Sequence, residues 1–349
     1  MDSLYSTLQD FVVDYCEYLP PDVPVLEEPP LPIEFLNNYV NSSVPFLITY
    51  DKFEEPPFLA VELWRSSKHI RDVMQNKKVT VAVTPDGRAN AVSNDLFMVA
   101  EERRMLFSEF LDELQHPTTS SVYSLQKPNN LIEDLDRLTY RGVDNDIKWA
   151  SETFGSKPKE ATIWMGKGQC VHSMHKDHYE NIYYTLIGIK YFELYPPIAI
   201  GWMPYQKYKK YQWSYDMKKK SWKMNDLNEE VKGIPIDIRP KSREKYLMYS
   251  KTKSYHVQLR PGECLYIPAM WYHEVRQPFY SIAVNFVYDM KYDAKYPFLR
   301  LYKKLCQLPI LRSDAAVDRQ SELEESLLQE LIEADLRRHR VFQPKISRK

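Results

Sequence analysis

Residues 175–197 read HKDHYENIYYTLIGIKYFELYPP, and they decide the fold. Side chains two apart on a strand point the same way. If the strand that begins near Gln169 continues through HKD, His175 and Asp177 project together. In KYFEL, Lys190 shares parity with Phe192 and Leu194, so its ammonium points into an apolar interior. Glu193 has the opposite parity and cannot neutralise it. A charge in that position is costly unless it is paired. The plain alternative is an edge lysine that snorkels outward.

A second chemical block, RPGECLYIPAMWYHEV, occupies residues 260–275: a Pro-Gly turn, a strand, then His273. His175, Asp177 and His273 on neighbouring strands make two imidazoles and one carboxylate with open positions left on the metal. That donor set favours non-haem Fe(II) used with dioxygen, whereas all-histidine or thiolate sets favour zinc. A histidine two before an aspartate is common by chance, so Lys190 carries much of the weight. A dicarboxylate cosubstrate gives it a partner: one carboxylate on the ammonium, the other end on the metal. A zinc cupin isomerase leaves Lys190 without a role.

Working outward, ATIWMG, QCVHSMH, NIYYTLI, KYFELYP, SYHVQL, CLYIPAMW and YSIAVNFVYD are short β-like runs without helices between them. They predict a mainly β protein with flanking helices and a sandwich or barrel core across 121–290. Upstream, residues 3–19 have helical period behind Ser3, IEFLNNYV reads as a short helix and PFLITY as a strand. VTVAVTPDGRANAV reads as two strands joined by a Pro-Asp-Gly turn, and SSVYSLQK as another strand. Residues 1–120 are therefore expected to pack helical and hairpin elements on the core. A basic-aromatic insertion near 203–224, YQKYKKYQWSYDMKKKSWKM, is either a nucleic-acid surface or a solvated hairpin with cross-strand aromatics. The hairpin is the preferred reading. Residues 291–349 read as helical, with Leu323, Leu327 and Leu331 on one stripe. That stripe, like the N-terminal helix, packs on its own domain or makes a homodimer.

The 349 residues carry a formal net charge of -1, which gives no general reason to expect nucleic acid or a membrane surface. Cys16, Cys170, Cys264 and Cys306 are scattered without a CxxC pair, which fits a reducing compartment. No basic leader or apolar span is evident, so a cytoplasmic location is expected, and a nuclear pool is left open although no dense basic cluster asks for one.

HKDHYEN, GIKYF, PGECLYIPAMWYHEV and SIAVNFVYDMKYD resemble the Jumonji-C (JmjC) oxygenases, more narrowly their small (3S)-lysyl hydroxylase branch. VTVAVTPDGRANAV, the AEERRMLFSEFLDEL helix and VYSLQK extend the likeness over residues 30–305. The resemblance implies a double-stranded β-helix (jelly-roll, cupin) core, Fe(II) on His175, Asp177 and His273, and 2-oxoglutarate on Lys190. It makes Tyr183 and Asn285 further cosubstrate contacts. It also implies hydroxylation of a lysyl side chain in a protein substrate, with developmentally regulated GTP-binding proteins as the substrate class. The alternatives are a histone lysine or arginine demethylase, a histone-tail peptidase, or a non-catalytic JmjC-like scaffold, although scaffolds usually lose a ligand or the lysine. Two positions depart from the pattern. His172 stands where relatives carry a small hydroxyl residue, and either contacts the cosubstrate or is a core histidine. Ser124 stands where a tyrosine is usual, with Tyr123 one step off. Around a target lysine's ammonium, Asp86, Glu180 and Asp289 are the candidate acids. His178 is read as outward or supporting, and His256 receives no role.

Overall fold

The computed structural model describes residues 2–49, 58–118, 120–235 and 251–308. Its centre is a jelly roll of eight antiparallel strands. In chain order they are β1 (Glu160–Gly166), β2 (Val171–Lys176), β3 (Tyr179–Ile187), β4 (Lys190–Tyr195), β5 (Tyr255–Leu259), β6 (Cys264–Ile267), β7 (Tyr272–Arg276) and β8 (Ser281–Asp289). One layer has the order β5-β4-β7-β2 and the other contains β6-β3-β8-β1. The double-stranded β-helix expected from the sequence is the observed fold.

Strands β3, β6 and β8 are buried along nearly their whole length. One of their faces meets the other layer, in a core containing Tyr183, Phe192, Leu194, Val257, Leu265 and Ala283. The other face carries Ile182, Tyr184, Tyr266, Ile282, Val284 and Phe286 into a larger core beneath the N-terminal helices. The strand sequences are accordingly close to continuous hydrophobic runs, as burial on both faces requires.

The larger layer does not stop at the jelly roll. Val25–Leu26 and Phe46–Ile48 extend it beyond β6; Val122–Leu125, Lys78–Thr84 and Glu101–Leu106 extend it beyond β1. The N-terminal region thus completes the sheet that backs the site.

Two local expectations are corrected. VTVAVTPDGRANAV does not form a hairpin: Lys78–Thr84 pairs with Glu101–Leu106 and Val122–Leu125, whereas Ala91–Ser93 pairs with Leu96–Val99. The Pro-Asp-Gly turn instead crosses between sheets. Gly87 has φ +81°, and a Cβ there would lie 2.2 Å from the carbonyl oxygen of Gln169, so the turn seats directly on the segment leading into β2. Likewise AEERRMLFSEFLDEL is helical only over Phe107–Gln115, because Glu101–Leu106 is drawn into the sheet by pairing with Lys78–Thr84.

The insertion is a long hairpin, Gln206–Asp216 with Ser221–Gly233. Tyr215 and Trp222 are register partners with ring centroids 5.2 Å apart. Its first strand also runs parallel to Leu96–Val99, so hairpin and N-terminal region share a four-stranded sheet, from which Val92, Phe97 and Lys232 line the cavity described below.

The helix Asp2–Glu17 packs Leu8, Val12 and Cys16 onto Tyr195, Ile198, Trp202, Tyr302 and Cys306. Leu8, Val12 and Cys16 are therefore covered within the chain, whereas Phe11 stays 45% exposed beside Tyr302. The helix Lys295–Cys306 follows β8. The leucine stripe expected at 323–331 lies outside the described residues. Among the described residues no helix is long and apolar enough to cross a membrane.

Candidate metal centre and cosubstrate pocket

The antiparallel pairing of β2 with β7 makes His175 and His273 direct register partners. Their ring centroids are 4.2 Å apart. Asp177 follows at the end of β2, and its Oδ2 lies 3.8 Å from His175 Nε2 and 3.9 Å from His273 Nε2. These distances are too long for hydrogen bonds. One donor atom from each of the three residues falls within 4.8 Å of the others, as expected of ligands to a common centre.

The imidazoles are oriented for that task. His175 Nδ1 lies 2.7 Å from the carbonyl oxygen of Ser173, and His273 Nδ1 lies 3.2 Å from that of Trp271. Each Nδ1–H donates to a carbonyl, which leaves the Nε2 lone pair facing the carboxylate. Burial, and then the neighbouring His175, push the His273 pKa down to about 4, so its imidazole is neutral at ordinary pH. The residues present fit a divalent ion with open positions; two imidazoles and one carboxylate suit Fe(II).

A cavity of about 550 Å³ runs from this triad into the jelly roll. Lys190 lines its deep end and is 6% exposed. Gly188 makes this placement: its φ of +75° turns β3 into β4, and a Cβ would lie 2.4 Å from the carbonyl oxygen of Tyr280. The ammonium donates to Gln277 Oε1, which also accepts from Ser281 Oγ at 2.7 Å. Among the described residues it forms no ion pair with a carboxylate. Burial lowers its pKa to about 8. A buried cation held only by neutral groups, four residues along the ladder from the triad, marks the place for an anion. Four residues of strand span about 13 Å.

The remaining predicted residues divide clearly. Tyr183 and Asn285 are register partners on β3 and β8, and both line the cavity. Burial raises the Tyr183 pKa. Asn285 accepts from Trp164 Nε1 at 2.9 Å and donates to Asn181 Oδ1 at 3.1 Å. His172 also lines the cavity, edge-on to Trp164 with centroids 4.2 Å apart. Its pKa is driven well below the ordinary range by burial, then by its neighbours His175 and Lys190, so it is neutral. Ser124 lines the cavity whereas Tyr123 packs into the outer core, so the pocket carries a hydroxyl from this strand. His178 is exposed near Tyr292 and Tyr296, and His256 is exposed on β5.

The three candidate acids are elsewhere. Glu180 is buried outside the cavity, accepting from Tyr266 Oη at 2.6 Å and the Ala269 amide at 3.0 Å. Asp289 pairs with Lys159 at 3.0 Å, and exposed Asp86 accepts from the Arg88 amide at 3.1 Å. The carboxylates lining the cavity are Asp177 and, unanticipated, Glu160. Parity was the available signal: Glu160, Thr162 and Trp164 share a face of β1, and all line the cavity. Asn181 and Gln277 were also missed. Asn181 has the parity of Tyr183, and Gln277 that of His273 four residues on.

A jelly roll with an inward His-Asp-His centre and a buried lysine on an adjacent strand defines the cupin class of oxygenase. The chain belongs to the Cupin-like domain family, whose pattern matches residues 32–294, and is an enzyme of the JmjC oxygenase kind. It is 36% identical over 313 residues to the human "Bifunctional peptidase and (3S)-lysyl hydroxylase JMJD7", covering 87% of this chain and 96% of that one. It is 33% identical over 305 residues to "Lysine-specific demethylase JMJ32" of Arabidopsis thaliana, covering 81% and 87% respectively. "JmjC domain-containing protein E" of Dictyostelium discoideum is 26% identical over 345 residues, covering 87% and 93%.

Proposed function

We propose that this protein is an Fe(II)- and 2-oxoglutarate-dependent hydroxylase of a lysyl side chain in a protein substrate. The observation that carries the reading is the shared cavity of the triad and Lys190. The similarity to a named lysyl hydroxylase supports the choice of lysine. Developmentally regulated GTP-binding proteins are the substrate class implied by the resemblance of the motifs.

His175, Asp177 and His273 would hold the metal, which with 2-oxoglutarate and dioxygen supplies the oxidising chemistry. The protein contributes geometry and exclusion of water. The Ser173 and Trp271 carbonyls fix the imidazoles, so little reorganisation accompanies binding. Lys190 would take one cosubstrate carboxylate, releasing Gln277 from its ammonium. Tyr183, Asn285 and neutral His172 line the space beside it, and His172 acts there as a hydrogen-bond partner, not as a charge.

Glu160 gives the cavity a carboxylate for a substrate ammonium. It lies across β8 from Asn181, because both pair with Val287. This row sits towards the β3 start at Tyr179, away from the Lys190 end. A lysine entering from that side would have its ammonium held while a C–H bond is offered to the metal. Such positioning decides which carbon reacts.

The test is purified full-length protein with Fe(II), ascorbate and 2-oxoglutarate, given peptides from developmentally regulated GTP-binding proteins. A lysine gaining the mass of one oxygen is the expected product, with stoichiometric succinate. Unmodified peptide with an intact metal centre would overturn the reading.

The Arabidopsis relative's name favours lysine demethylation as the second reading. Both reactions begin by removing hydrogen from carbon, and hydroxylation next to nitrogen collapses with loss of formaldehyde. Methylated histone peptides that lose methylene units would select it. Peptide fragmentation without iron or cosubstrate would instead support a peptidase.

A further inference from the structure

The outer mouth of the cavity carries a group of cations that the metal and cosubstrate do not use. Lys176 comes from the end of β2, Lys232 from the second insertion strand, and Lys303 from the helix Lys295–Cys306. Lys176 and Lys232 line the cavity with Tyr205. Lys303 Nζ stands 5.4 Å from the centre of the Tyr205 ring, and Lys176 Nζ 6.0 Å from that of Tyr272. The two rings lie 6.2 Å apart.

Elsewhere lysines in this protein find acids: Lys77 with Asp136, Lys127 with Glu133, Lys159 with Asp289, Lys210 with Glu229 and Lys223 with Asp216. Among the described residues Lys176, Lys232 and Lys303 make no ion pair. The nearby Asp177 carboxylate belongs to the metal centre. Lys176 and Lys303 are half-buried and repel one another, and Lys232 adds to the repulsion at Lys303. Lys176 and Lys303, each over an aromatic ring, and exposed Lys232 from a third element, with no ion-pair partner among the described residues, form a preorganised anion site.

We propose that this rim binds an acidic side chain of the polypeptide substrate, a carboxylate or a phosphorylated residue close to the target lysine. The inference rests on the lysyl reading above for the residue that enters the cavity. The mouth is then bipolar: Glu160 on β1 takes the lysine, and the three lysines take its acidic neighbour. The substrate class is a lysine in an acidic sequence context, read partly by the insertion and the helix Lys295–Cys306.

Fluorescently labelled peptides with one central lysine, carrying Glu, phosphoserine or Gln at each flanking position in turn, test the rim. They are titrated into full-length protein loaded with Mn(II) and 2-oxoglutarate. The expected result is a window of positions where an acidic residue tightens binding about tenfold over Gln. Glu and phosphoserine acting together identify a carboxylate-tolerant site; phosphoserine alone identifies a phosphorylated substrate. In the double variant Lys232→Glu, Lys303→Glu, checked by its thermal melt, the preference should invert towards Lys at the same positions. If no position prefers an acid, or the preference survives charge reversal in folded protein, the rim is not this site. The same peptides assayed for oxygen gain separate the readings. An acidic preference without lysine hydroxylation overturns the lysyl reading and leaves the anion site standing; hydroxylation indifferent to charge does the reverse.

Discussion

His175 and His273 face one another across the β2–β7 ladder, and each anchors its Nδ1 on the carbonyl oxygen two residues earlier in the chain. Ser173 lies within β2, and Trp271 immediately precedes β7. The imidazoles are therefore held for a metal by backbone groups that substitution cannot remove.

Replacing a ligand should therefore empty the centre without unfolding the protein. His175→Ala, Asp177→Ala and His273→Ala are each expected to lose more metal affinity than the roughly 10–100-fold typical of losing an outer-shell partner. Turnover should fall to background. Iron titration with 2-oxoglutarate, followed by the weak visible charge-transfer band, checks this alongside circular dichroism. A variant that keeps the band would remove its residue from the ligand set.

Lys190→Met separates function from stability. Cosubstrate binding should be lost, with KM for 2-oxoglutarate raised at least about a hundredfold. The melting temperature should hold or rise, because replacing a buried unpaired ammonium with a hydrophobic chain removes a desolvation cost on the order of 2 kcal/mol. Calorimetric titration with 2-oxoglutarate and a thermal melt give the two answers independently. Unaltered cosubstrate affinity would leave the buried ammonium without its assigned anion.

The same lysine sets a pH dependence. Its folded pKa of about 8 lies below the ordinary value of 10.5, so cosubstrate-free protein loses the proton above pH 8 while the unfolded chain keeps it. In that window the unfolded state binds more protons, and this group's contribution to stability rises with pH. Cosubstrate affinity runs the other way. It is steady below pH 8 and should fall by up to about tenfold per pH unit above it, with proton uptake on binding near pH 8. Binding enthalpies in buffers of different ionisation enthalpy report that uptake.

What was legible in the sequence was what strand parity controls. The inward direction of Lys190, the common face of His175 and Asp177, and the two-layer β class all follow from alternation within a few residues. Non-local pairing was not legible. Ala91–Ser93 has a sequence suited to a hairpin with Lys78–Thr84, but its partner is Leu96–Val99, and the insertion that completes that sheet is more than a hundred residues away. EERRML looked helical beside FSEFLDEL, and only pairing with Lys78–Thr84 makes it a strand. Acids were the hardest to place. Glu180 sits beside the metal motif in sequence but faces Tyr266 and Ala269, whereas Glu160 precedes the motif on another strand and faces the cavity.

That exchange of acids yields a paired prediction. Glu160 lines the cavity outside the His175–Asp177–His273 cluster, so Glu160→Gln keeps the shape of the wall and removes its charge. KM for a lysyl peptide should rise about tenfold, while 2-oxoglutarate binding and the melting temperature stay near wild type. Glu180→Ala should do the opposite. It strands the Tyr266 hydroxyl and the Ala269 amide in a buried setting, a loss on the order of 1–3 kcal/mol that appears as a lower melting temperature. Steady-state kinetics with one peptide and a denaturation series on both variants check the pair. If Glu160→Gln leaves peptide KM alone and Glu180→Ala raises it in stable protein, the ammonium lies against the other wall, and the direction of substrate entry proposed here is reversed.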